Sequence, residues 1–195
     1  MAYEEPAYEV IGKQEEYEVR RYASYHVAET TVEGTFDQAG RQSFRRLFGY
    51  ISGNNRRAER MDTTVPVTVG SADRGEKIKM TVPVVATMPS GGRVDSAAYT
   101  YYFVMPSKFT PETLPLPNDE RIRIREVPER VVAVVRYSGR SNEENYRQNE
   151  RLLREALEAD GVPILGEPVL AVYNGPFTPW FMRRNEVMVE IGRPD

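Results

Sequence analysis

Polar and apolar positions alternate in two similar stretches of the chain. The first runs through Tyr17-Glu18-Val19-Arg20-Arg21-Tyr22 and Tyr25 to Val32, and ends at Glu33-Gly34-Thr35. The second runs through Ile122-Arg123-Ile124-Arg125-Glu126-Val127 and Arg130 to Val135, and ends at Tyr137-Ser138-Gly139. Period-two alternation of β-branched and aromatic residues predicts two strands in each. Val19 and Ile124, Ala28 and Ala133, and Gly34 and Gly139 all share one spacing.

A helix is predicted after each pair of strands. Thr35 and Gln38 form a possible capping box, and the helix runs to about Ile51 before Ser52-Gly53-Asn54-Asn55. Ser141 and Glu144 stand in the same relation, and the second helix runs to about Ala159 before Asp160-Gly161. Its expected buried stripe is Tyr146, Leu152, Leu153, Ala156 and Leu157. Further strands are expected at Thr63–Val69, Ile78–Met88, Ala98–Met105, Val169–Tyr173 and Val187–Ile191. The proline-rich stretch from Pro106 to Asp119 reads as a connector. The fold class expected is α+β. Two pseudo-symmetric ββαβ-type repeats, about 8–105 and 120–191, pair into a distorted antiparallel β-barrel flanked by two long helices.

Composition narrows the function. The chain has 195 residues, 40% hydrophobic and 28% charged, with a net charge of −3. Charges of both signs are interspersed, so no nucleic-acid partner is expected. There is no cysteine, which removes disulfides, thiolate nucleophiles and heme held through a Cys-x-x-Cys-His motif. The start, Met1-Ala2-Tyr3-Glu4-Glu5-Pro6, has no apolar run, and no segment approaches the ~20 apolar residues of a membrane span. The expectation is therefore a cytoplasmic protein with no membrane partner, monomeric by default. The one histidine, His26, leaves little room for a zinc site or a catalytic triad, so no catalytic constellation is expected.

Several strings occur together. They are Gly53-Asn54-Asn55, Met61-Asp62-Thr63-Thr64-Val65-Pro66-Val67, Lys77-Ile78-Lys79-Met80-Thr81-Val82-Pro83-Val84, Phe103-Val104-Met105-Pro106-Ser107-Lys108, Pro117-Asn118-Asp119-Glu120-Arg121, Gly166-Glu167-Pro168-Val169-Leu170 and Arg183-Arg184-Asn185-Glu186-Val187. In combination they resemble the SOUL/heme-binding protein family from about Tyr8 to Ile191, as a single domain. The resemblance implies non-covalent binding of heme or a related tetrapyrrole in an open apolar cleft. By resemblance that cleft lies between the first helix and the loop before the last strand, and serves a carrier, buffer or sensor.

The resemblance places Arg41, Phe44, Phe48 and Gly49 on one cleft wall. Leu47 and Ile51 face the core, and Phe44 and Phe48 form a second stripe. The other wall would carry Phe177, Pro179, Trp180 and Phe181, whose flat rings suit a macrocycle. Core packing is the competing reading for Phe44 and Phe48, and a packed anchor for Trp180. Family lysines match Gly49 and Pro179 here, so arginine at 183 or 184 would have to face the propionates. The family's axial histidine matches Arg21, so no metal ligand is implied; His26 is a weak candidate, and Met61, Met80 and Met182 are weaker ones. Two other readings stand beside this one. A module like the gyrase-inhibitory domains would use Glu29 with Tyr101 or Tyr102 in a central cavity. A weak hydrolase would use Glu29 or Glu186 as base.

Overall fold

The computed structural model describes residues 3–57, 75–88, 97–175 and 177–192. The expected strand Thr63–Val69 lies outside them. The elements are β1 (Tyr8–Lys13), β2 (Glu18–Tyr22), β3 (Tyr25–Gly34), α1 (Phe36–Ile51), β4 (Asn55–Arg56), β5 (Val84–Thr87), β6 (Ala97–Val104), β7 (Leu116–Pro117), β8 (Arg123–Val127), β9 (Arg130–Tyr137), α2 (Glu143–Ala159), β10 (Val169–Val172) and β11 (Asn185–Glu190). Nine strands join in one antiparallel sheet in the order β1-β2-β9-β11-β10-β5-β6-β3-β8. The sheet curls into a half-barrel, so the α+β distorted barrel is the architecture found. β4 and β7 form a separate small pair.

Alternation along the strands sorts side chains onto two sheet faces. One face meets the helices: α1 packs on β3 and β6, and α2 on β9 and β11. Leu47, Tyr50, Tyr99, Tyr101, Leu153, Leu157 and Val187 fill this larger core. The other face holds Tyr22, Val27, Val85, Tyr102, Val132, Val134 and Met188. Two consecutive strands followed by a helix occur twice, as β2-β3-α1 and as β8-β9-α2. Gly34 and Gly139 both have positive φ, +145° and +122°, at the exits of β3 and β9. A side chain at either position would be strained, which accounts for glycine in both.

The first helix starts as its sequence predicts. The Thr35 side chain accepts from the Gln38 N–H, and the Gln38 side chain accepts from the Thr35 N–H. The second helix starts one residue later than expected. Asn142, not Ser141, is the cap, and its Oδ1 accepts from the Asn145 N–H at 3.1 Å. Asparagine caps as well as serine, so the loop geometry decides between them.

Three other expectations are corrected. Ile78–Met88 is not one strand. Pro83 has no N–H for a ladder, so pairing begins at Val84, and Ile78 instead donates its N–H to the Ile51 carbonyl. Leu152 is exposed, whereas Glu150, on the opposite side of α2, is buried between Arg147 and Arg154. The connector from Pro106 to Asp119 is not wholly irregular, because Leu116–Pro117 pairs with β4.

Candidate functional site

The surface of α1 carries the first group of candidate residues. Leu47, Tyr50 and Ile51 are buried, and the stripe beside them is not. Phe44 and Phe48 are 42% and 47% exposed, which rules out plain core packing for them. Their rings stack in parallel, with centroids 5.7 Å apart and an interplanar angle of 11°. Phe44 is steadied from below by the edge of Phe103 on β6, at 5.6 Å. Gly49 follows directly, and a Cβ there would meet nothing within 4 Å. Arg41 is exposed one turn before Phe44. The result is a flat apolar platform with open space at one end and a cation at the other.

The loop between β10 and β11 carries the second group. A 3-10 turn spans Trp180–Met182. The Trp180 carbonyl accepts from the Gly139 N–H at 3.0 Å, which ties the turn to the end of β9. Its ring is 58% exposed, so the backbone is anchored and the indole is not. The loop and the start of α2 line an open pocket of about 440 Å³, bounded by Arg140, Ser141, Asn142, Phe177, Thr178, Pro179, Trp180 and Arg183. Phe181 stands edge-on to Trp180 at 5.8 Å but does not line this cavity. Nor do Arg41, Phe44, Phe48 and Gly49, so the structure brings the sequence candidates together as two groups rather than one.

Beneath the loop lies an ionic cluster that sequence reasoning did not find. Glu186 is fully buried on β11. Its carboxylate accepts from Arg20 Nη1 at 2.9 Å, the Tyr173 hydroxyl at 2.7 Å and Arg184 Nε at 2.9 Å. The Arg184 guanidinium also lies 3.7 Å over the Tyr173 ring. Burial disfavours the Arg20 charge, yet Glu186 more than offsets this and its pKa rises. Burial and the Glu186 charge push the Tyr173 hydroxyl far up, so it stays a donor. With three donors on it, Glu186 acts as a brace and not as a free base. The Arg184 N–H donates to Asn174 Oδ1 at 2.6 Å, and so passes the brace to the loop. Arg184 is thus occupied; Arg183, whose Nε donates to the Thr178 carbonyl at 2.8 Å, lines the pocket. A charged residue deep in a strand gives no sequence signal, because its partner Arg20 is 166 positions away.

The remaining candidates are scattered. His26 sits in β3 opposite Glu126 of β8, half-buried, and does not line the loop cavity. Among the described residues no group of three or more His, Cys, Asp or Glu could hold a metal. Glu29 is taken by Arg125 at 2.6 Å. Tyr101 and Tyr102 point to opposite faces of β6, into the two separate cores. Glu29 and both tyrosines therefore do not share one cavity. A second cavity, of about 410 Å³, opens beside the brace and is ringed by charges of both signs, including Arg20, Glu18, Arg136 and Arg184.

Comparison with known proteins assigns the family. The SOUL heme-binding protein model matches residues 3–75 and 69–190. The chain belongs to the SOUL heme-binding protein family. Heme-binding protein 1 of Xenopus tropicalis is 26% identical over 173 residues, covering 88% of this chain and 81% of that protein. Heme-binding protein 2 of Mus musculus is 26% identical over 185 residues, covering 89% and 81%. Heme-binding protein 1 of Sus scrofa is 29% identical over 161 residues, covering 80% and 75%. Among solved structures, the EcmrR C-terminal domain superposes with a TM-score of 0.64 at 9% identity, over 96% of this chain and 99% of that one. A hydrolase from Listeria innocua gives 0.56 at 9% identity, over 93% and 94%. At such identities these two speak for the SOUL fold only. No helix among the described residues is long and apolar enough to cross a membrane.

Proposed function

We propose that this SOUL protein binds heme or a related tetrapyrrole non-covalently, by its macrocycle rather than its iron. The observation that carries the reading is the stacked, exposed pair Phe44 and Phe48 on α1. A porphyrin is a flat apolar plate, and a rigid pair of parallel rings offers it contact without ordering cost. The open space at Gly49 leaves room beside that platform. The loop residues Phe177, Pro179 and Trp180 line a separate open pocket, a second apolar surface that we assign to the same ligand class, with Arg140 and Arg183 as its cations. The family's axial histidine position holds Arg21, which pairs with Glu9 at 3.4 Å instead. Family membership and the relatives named heme-binding proteins support the same ligand class. The twofold recurrence of β-β-α fits an internal duplication, with the ligand on the half that carries α1. We assign the protein a role as carrier, buffer or sensor in the cytoplasm.

The test is a titration with hemin and with metal-free protoporphyrin, each followed by absorbance. Both are expected to bind with one-to-one stoichiometry and similar affinity. Replacing Phe44 by Ala and Phe48 by Asp should weaken both by more than about tenfold. An unchanged titration of that variant would refute the α1 site.

A further inference from the structure

We infer that the tip of the β10–β11 loop, with Phe181 and Met182 at its centre, is a docking element for an anionic phospholipid surface. Phe177, Trp180, Phe181 and Met182 are 99%, 58%, 60% and 65% exposed. The cavity beneath accounts for Phe177 and Trp180, but Phe181 and Met182 line neither that cavity nor the one beside the brace. Clustered large apolar side chains at such exposure mark an interaction site.

The size of the cluster selects the partner. It is a single exposed 3-10 turn of three residues, whereas a stable protein interface needs about 800 Å² per partner. Exposed tryptophan and phenylalanine suit the headgroup level of a bilayer. The tip is already ordered. The Met182 N–H donates to the Pro179 carbonyl at 2.9 Å, and Arg183 Nε donates to the Thr178 carbonyl at 2.8 Å. Charge agrees with an anionic surface: Arg140 is exposed and Arg183 half-buried beside the tip. The nearby acids are mostly engaged. Glu143 pairs with Arg147, Glu5 and Glu186 pair with Arg184, and Glu144 remains as the opposing charge. The sequence expectation of no membrane partner rested on the lack of a spanning segment, and a surface contact through this tip would revise it. It would dock the proposed tetrapyrrole site against the phase where apolar macrocycles collect. The inference rests on that site only for this purpose, not for its geometry.

Trp180 is the single tryptophan, so its emission reports on this loop alone. The whole chain is mixed with vesicles of phosphatidylcholine and phosphatidylglycerol, or of phosphatidylcholine alone. Binding is expected with the anionic vesicles as co-sedimentation and a blue shift, both weakened by salt. Met182→Asp should lower partitioning about tenfold and leave the hemin titration as in the wild type. Phe181→Ser should also weaken vesicle binding. The inference is overturned by no binding to anionic vesicles, or by equal binding of wild type and Met182→Asp. A blue shift that grows with protein concentration without vesicles also overturns it, in favour of a second copy of the chain. Loss of hemin binding with vesicle binding intact would strike the proposed function and not this inference.

Discussion

The two long helices hold equivalent places in the chain but present opposite surfaces. Each follows two consecutive strands and a glycine of positive φ, and each packs one face on the same side of the sheet. With the caps Thr35 and Asn142 set in register, Ala39 falls on Tyr146 and Tyr50 on Leu157, all buried. On the outer side Phe44 and Phe48 fall on Arg151 and Glu155. The outside of α2 is charged at these two positions, where Arg151 and Glu155 are exposed. The outside of α1 is a stacked aromatic pair. The fold requires only the inner stripes, so the aromatic surface of α1 is surplus to folding and points to a ligand.

That contrast can be broken in several places. The largest loss of stability is expected on the sheet face away from the helices. Glu186→Ala leaves the buried Arg20 and the half-buried Arg184 without their shared carboxylate and should cost about 3–5 kcal/mol in a denaturant titration. Next come the inner stripes. Leu47→Ala and Leu157→Ala should each cost about 2–5 kcal/mol, because both side chains are wholly buried. A cost below about 1 kcal/mol at either position would mean that its inner stripe does not hold the helix to the sheet. At the flank of the packed face of α2, Arg154→Ala should change stability by no more than about 1 kcal/mol and leave porphyrin binding alone, since the pair it forms with Glu150 is partly solvated.

The smallest effect concerns pH. Hydrogen bonds from Arg121 hold the Asp119 carboxyl at about 2, below its ordinary 3.8. The folded state therefore prefers the ionised form. Its contribution is present above the ordinary value and is lost as pH falls from about 3.8 to about 2. Asp119→Asn should flatten the stability curve in that window, read by thermal melts at stepped pH.

Much of this was legible in the sequence, for physical reasons. Helix α1 announces itself through its capping box and its Leu47–Ile51 spacing. Strands β3 and β9 show alternation because one face meets each core. The aromatic stripe of Phe44 and Phe48 is also readable from spacing, though not its exposure. Other features were hidden. Strand β1 is mostly exposed, so it has no apolar alternation to read. The strand expected from Ile78 was broken by the missing N–H of Pro83. The choice of Asn142 over Ser141 as cap depends on the path of the loop from Gly139. The Glu186 brace joins β2, β10 and β11 only once the sheet order is known. The two walls, on α1 and on the β10–β11 loop, belong to different segments, and their relation is tertiary.

The central claim is that the aromatic surface of α1 serves a planar ligand and not the fold. The direct measurement grafts the α2 surface onto α1, as Phe44→Arg with Phe48→Glu, and titrates hemin and metal-free protoporphyrin into the variant and the wild type. The account predicts a thermal midpoint close to that of the wild type, since exposed substitutions shift stability by only about 0.5 kcal/mol, and a loss of more than about tenfold in affinity for both porphyrins. A variant that melts like the wild type and binds hemin undiminished would contradict it.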